Sequence, residues 1–130
     1  MNKTDRIKRL IKACTDGEIS EVRRLIEEGV DVHSENDKPL CQACQFGHLD
    51  IVLYLLEKGA DVHASEDFPL RITSQYKGRE KIMIALLEAG ADVHAQDDSP
   101  LKWATRLKKP ENVCILKCWM IREEMEGGIK

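Results

Sequence analysis

The sequence predicts an all-α solenoid of about four helix–turn–helix units joined by short loops. Three observations predict it. Gly29-Val30-Asp31-Val32-His33 returns as Gly59-Ala60-Asp61-Val62-His63 and Gly90-Ala91-Asp92-Val93-His94, at spacings of 30 and 31 residues. Pro39-Leu40, Pro69-Leu70 and Pro100-Leu101 return at the same spacings, each ten residues after its glycine. Between these marks the apolar residues sit three and four apart, so they share one helical face. A fixed period of this length is the mark of stacked units that bury a continuous core between neighbours. Such arrays present a long surface and bind.

The second unit shows the pattern most fully. Pro39 suits the first turn of a helix, where its missing N–H has no intrahelical role. Leu40, Ala43 and Cys44 line one face of that helix. Gly47 ends it and permits a tight turn. Leu49, Val52, Leu55 and Leu56 form the stripe of a second helix, expected over 49–58, with Gly59 as a left-handed C-terminal cap. Residues 60–67 read as a loop, with Asp61 and Ser65-Glu66-Asp67 as turn signals.

The first unit repeats this with Leu10, Ala13 and Gly17, then Ile19, Val22, Leu25 and Ile26, and Thr4 is its expected N-cap. The third has one extra residue between Leu70 and Gly78, followed by Ile82, Met83, Leu86 and Leu87. The fourth opens on Ser99-Pro100-Leu101 and holds Ala104. Its turn glycine is replaced by Lys108-Lys109-Pro110, and its second helix, about 111–124, carries Val113, Ile115, Leu116, Trp119 and Met120. A degraded terminal repeat is what a capping unit requires. The expected units are 4–33, 34–63, 64–94 and 95–125 within one domain over 1–126, and the tail from Glu126 to Lys130 is expected to fray.

Composition narrows the classes. The net charge of −3 argues against a nucleic-acid binder. No apolar run approaches the ~18 residues of a membrane span, and the charged first twelve residues carry no secretory signal. Five cysteines (Cys14, Cys41, Cys44, Cys114, Cys118) do not form a disulfide framework. Reduced thiols in a cytoplasmic protein are the simpler expectation.

These residues resemble the ankyrin repeat. The resemblance rests on Pro-Leu-x-x-Ala at the helix starts, Gly47-His48-Leu49-Asp50 at a turn, and Leu55-Leu56-Glu57-Lys58-Gly59-Ala60-Asp61-Val62 with its copy at Leu86–Val93. It covers nearly the whole chain. It implies inner helices lining a concave binding face and finger-like loops between units. The units here are 30 and 31 residues against ~33 in the family, so the fingers are expected to be stubby. Lys38 and Phe68 stand where the family has threonine, leaving Ser99 as the expected hydroxyl cap. Cys41, Arg71 and Lys102 stand where the family has histidine, so the bonds tying neighbouring loops are expected to be mostly missing. The short-fingered form is similar in style to repeats of large DNA viruses and intracellular bacteria.

No set of residues reads as catalytic. His33, His63 and His94 invite a zinc hypothesis, but zinc needs nitrogens at ~2.0–2.1 Å and stacked helices lie ~8–10 Å apart. They form a ladder, and local loop bonding is the expectation for them and for the turn residue His48. Cys41-x-x-Cys44 lies within one helix and has no second cysteine pair, so core thiols are expected. No metal, cofactor or catalytic residue is assigned, and an enzyme or metal protein is the remote alternative.

The expected partner-binding residues are of two kinds. Glu35, Asp37, Glu66, Asp67, Asp97 and Asp98 form an acidic rim of loop tips that would attract a basic partner. The resemblance maps contact positions to Gln45, Phe46, Gln75, Tyr76, Arg106 and Leu107. Phe46, Tyr76 and the loop residue Phe68 are weighed as aromatic anchors. Lys102 and Arg106, with Lys108 and Lys109, make a basic patch. Trp103 is expected between units and Trp119 at the C-terminal end of the core.

The expected function is a stand-alone protein-binding module, with no effector domain read beside the array. One alternative is a small inhibitor, viral or phage-borne, that occludes a basic nucleic-acid-binding site on a host or defence protein. A monomer is expected, with a homodimer through the concave apolar residues as the other arrangement.

Overall fold

The computed structural model describes residues 2–128. It contains eight helices in pairs: α1 (Lys3–Asp16) with α2 (Ile19–Glu27), α3 (Ser34–Phe46) with α4 (Leu49–Glu57), α5 (Ala64–Thr73) with α6 (Glu80–Glu88), and α7 (Ala95–Arg106) with α8 (Pro110–Gly128). The inner helices stack in the order α1, α3, α5, α7, and the outer helices α2, α4, α6, α8 stack behind them. This is the all-α repeat solenoid that the period predicts, and no strand occurs among the described residues.

Both apolar stripes meet in one core. Leu10, Leu40 and Leu70 from the inner helices are fully buried, as are Val22, Val52 and Met83 from the outer ones. A leucine of this kind contributes about 1.5–3 kcal/mol by leaving water. Ala13, Ala43 and Ala104 stay small and buried at equivalent positions, where neighbouring helices approach.

The turns between inner and outer helices share one device. Gly17, Gly47 and Gly78 take left-handed backbone angles, and Lys108 does the same at φ 57°. The N–H after each of Gly17, Gly47 and Lys108 bonds back to Ala13, Ala43 and Ala104 respectively. The fourth unit therefore keeps the register, with lysine in the glycine position.

Three polar side chains tie each turn to the next unit. His48 Nε2 bonds the Thr15 carbonyl at 2.9 Å. Arg79 Nη2 donates to the Gln45 carbonyl at 3.2 Å. Buried Asn112 donates from Nδ2 to the carbonyls of Ser74 and Tyr76 at 3.0 and 2.9 Å. The last pair answers the extra residue of the third unit, which stops α5 at Thr73 and leaves those carbonyls outside the helix. Bonds of this kind satisfy the carbonyls that every helix end leaves open.

The first residues of α3, α5 and α7 are left-handed turns, and the right-handed helix of each begins only after them. Glu35-Asn36-Asp37, Ser65-Glu66-Asp67 and Gln96-Asp97-Asp98 each place three successive residues at φ between 52° and 62°. Left-handed angles cost L-residues roughly 1–2 kcal/mol each, so the turn must be held from outside. Asp31, Asp61 and Asp92 accept from the N–H of His33, His63 and His94. Arg71 donates to the carbonyls of Ser65 and Glu66.

Two expectations are corrected. The N-cap of α1 is Asn2, whose side chain accepts from the Asp5 N–H at 2.8 Å, in place of Thr4, which lies inside the helix. Ser99 makes no side-chain cap bond among the described residues; in the turn before it the Asp98 N–H bonds back to the His94 carbonyl. Helix α8 runs past Glu126 to Gly128, and the rest of the tail expected to fray, Ile129 and Lys130, lies outside the described residues.

Candidate functional site

Neighbouring loops are joined, against expectation, by aspartate. Asp37 accepts from the Asp61 N–H at 3.0 Å, and Asp67 accepts from the Asp92 N–H at 2.6 Å. Each carboxylate also holds the histidine of its own loop: His33 Nδ1 lies 2.9 Å from Asp37 and His63 Nδ1 bonds Asp67. Asp37 and Asp67 are consequently buried, at 5 % and 4 % exposure.

This changes the acidic rim. Of its six residues, Asp37 and Asp67 face inward and serve the stack, so they are not available to a partner. Glu35, Glu66 and Asp97 are exposed, and Asp98 is half-buried beside His94. The Asp98 carboxylate holds the His94 ring above its usual range, since its hydrogen bond and negative charge favour the imidazolium form.

The histidines thus have loop partners, as the ladder geometry requires. The thiols of the inner helices are core groups. Burial pushes Cys14 up to about 12 and Cys41 up to about 11, and it raises Cys44 further. A thiol so far from ionising is a poor ligand or nucleophile.

The inner-helix surface carries the exposed aromatics. Phe46, Tyr76, Trp103 and Leu107 are between 36 and 46 % exposed. Phe46 ends α3, Leu107 directly follows α7, and Tyr76 sits in the turn after α5. The Arg79 guanidinium lies over the Tyr76 ring at 5.4 Å, and Arg106 lies over Trp103 at 5.5 Å. Gln45 and Gln75 are half-buried beside them, and Lys102 is exposed.

Two of the expected roles change. Phe68 is half-buried beneath Arg71 at 5.6 Å, because Arg71 reaches over it to the loop carbonyls. Trp103 stands at the surface, not between units, and sits with Gln96, Ser99, Lys102 and Arg106 around a shallow hollow of about 240 Å³. The repeat register does not decide this, since it aligns Trp103 both with the half-exposed Gln42 and with Ile72, which packs against the core. A second hollow of about 280 Å³ opens between Glu35, Lys38, Gln42, Gln45 and Phe68. Trp119 packs partly buried against the core, as expected, with Arg122 over it at 4.9 Å.

No helix among the described residues is long and apolar enough to cross a membrane. No curated protein matches the chain. A family model described as ankyrin repeats (3 copies) matches residues 1–66. Ankyrin repeats are protein–protein interaction modules, generally without catalytic activity. With half of the sequence matched and the paired helices continuing in register to α8, the chain belongs to the ankyrin-repeat family.

Proposed function

We propose that the chain binds a protein partner through its inner-helix surface, with Phe46, Tyr76, Trp103 and Leu107 as anchors and Lys102 and Arg106 beside them. The supporting observation is the exposure of these four side chains on the helical stack. Large apolar groups at a surface lose contact with water when a partner covers them. Tyr, Trp and Arg are also the types that carry most interface energy. Gln45 and Gln75 supply adaptable polar contacts around the anchors.

The test is capture of a partner by the wild-type chain, beside a Phe46→Ala/Tyr76→Ala/Trp103→Ala variant of unchanged helicity. Loss of the partner in the variant, with retention by a Leu53→Ala control on α4, supports the inner surface. Equal capture by both variants refutes it.

A second reading gives the loop tips the leading role, with a basic partner attracted by Glu35, Glu66 and Asp97. Its support is the exposure of these three carboxylates on successive loops. An inhibitor that covers a basic nucleic-acid-binding site would use this edge. Binding would then weaken steeply with salt, and Glu66→Lys/Asp97→Lys would abolish it. Salt-independent binding rejects this reading.

A further inference from the structure

Helix α8 carries two apolar stripes. Asn112 and Leu116 are buried against the solenoid, with Val113, Trp119 and Met120 partly so. The second stripe is Cys114, Cys118, Ile121 and Met125, and it stays in water. Both cysteines are exposed, Ile121 is 56 % exposed and Met125 is 65 % exposed. Their steps of four, three and four keep a seam along one side of a helix, which is the pattern of two helices wound together.

The helix also outgrows its repeat. Lys108 occupies the position of Gly78, so the last residue of α6, Glu88, corresponds to Cys118. Helix α8 continues to Gly128. The ten further residues add about 15 Å of helix past the end of α6, and beyond Trp119 and Met120, which still pack on the core, Ile121 and Met125 stay exposed. A short helical arm with bare isoleucine and methionine gains from a covering surface.

We propose that this seam pairs with the same seam of a second copy of the chain, antiparallel, to give a two-fold dimer. The flanking charges choose the occupant. Lys117 and Glu124 are exposed on one side of the seam, and Arg122 lies on the other, paired with Glu126 at 3.1 Å and stacked on Trp119. Antiparallel pairing sets Cys118 against Ile121 of the second copy and Cys114 against Met125 of the second copy. Lys117 of each chain then faces Glu124 of the other, twice by symmetry. Parallel pairing would instead set Lys117 beside the Arg122–Glu126 pair of the second copy, where no unpaired carboxylate meets it. Charge complementarity and the heptad spacing thus favour a self-complementary, antiparallel contact. Four seam residues per chain make a narrow interface, so the dimer is weak and reversible. It leaves the inner helices free, and two copies present two partner-binding faces.

The test is sedimentation of the full chain under reducing conditions, over about 5–500 µM, the range suited to a small interface. A concentration-dependent rise from monomer towards dimer mass is expected. Ile121→Glu/Met125→Glu removes the rise, with helicity kept because both side chains are already in water. Lys117→Glu weakens the dimer, and Lys117→Glu/Glu124→Lys restores it. A monomer across the range overturns the proposal. So does a Lys117→Glu variant that dimerises more tightly, which marks parallel pairing, or a dimer insensitive to Ile121 and Met125.

Discussion

Asp37, Asp67 and Asp98 are the same residue in three successive loops, and the stack gives them different work. Asp37 and Asp67 each accept a backbone N–H from the loop that follows. Asp98 accepts only from His94, in its own loop. Their side chains are 7, 5 and 46 % exposed, respectively. Replacing each by alanine removes the histidine contact and the tolerance of aspartate for left-handed angles in all three cases. Those losses cancel in the comparison. What differs is the bond between loops, in which a carboxylate accepts from a backbone N–H. Bonds to charged groups contribute about 1.5–3 kcal/mol. Asp37→Ala and Asp67→Ala should therefore lower the unfolding free energy by about 2 kcal/mol more than Asp98→Ala does. Urea unfolding followed by circular dichroism measures this as a shift in midpoint at constant slope. Asp67→Asn keeps an acceptor and should fall between Asp67→Ala and wild type. Equal losses for all three alanine variants, within about 0.5 kcal/mol, would refute the idea that aspartate couples the loops.

Other positions give sharp tests. Asn112→Ala strands the Ser74 and Tyr76 carbonyls at a buried site and should cost about 2–3 kcal/mol in the same urea assay. Asn112→Asp should cost more, because a carboxylate would face two carbonyl oxygens. Lys108→Gly should stabilise the chain by about 1 kcal/mol, since exposed Lys108 holds φ 57° where three other units have glycine; a loss of stability would contradict the register assigned to the fourth unit. His94 should titrate above its usual 6.5 in an NMR series, and Asp98→Asn should bring it back. Because the folded value is the raised one, this contact stabilises fully below pH 6.5 and is lost as the pH rises through the folded value.

Much of the architecture was legible in the residues. The period, the apolar stripes and the turn glycines are local signals, because a helix needs only its own three–four spacing to expose a face. The buried leucines and alanines fall where that spacing puts them. The left-handed turns were not legible. Asn36 and Asp37 tolerate such angles singly but not in a run of three with Glu35, and the bonds that hold them come from Asp31, His33 and the next loop. Asn112 was missed for a similar reason, since its partners lie 36 and 38 residues away. Trp103 carried no local sign of being at the surface.

By itself, then, the sequence determined the repeat, its helices and the family, because those rest on spacing along the chain. The tertiary structure decided which polar groups face a partner. Asp67 and Asp97 look alike as acidic turn residues, yet one is buried and bonded to the following loop and the other stands in water. The difference lies in the left-handed turn, which points the last aspartate of each loop at the next backbone. Stacking then supplies that backbone only where another loop follows.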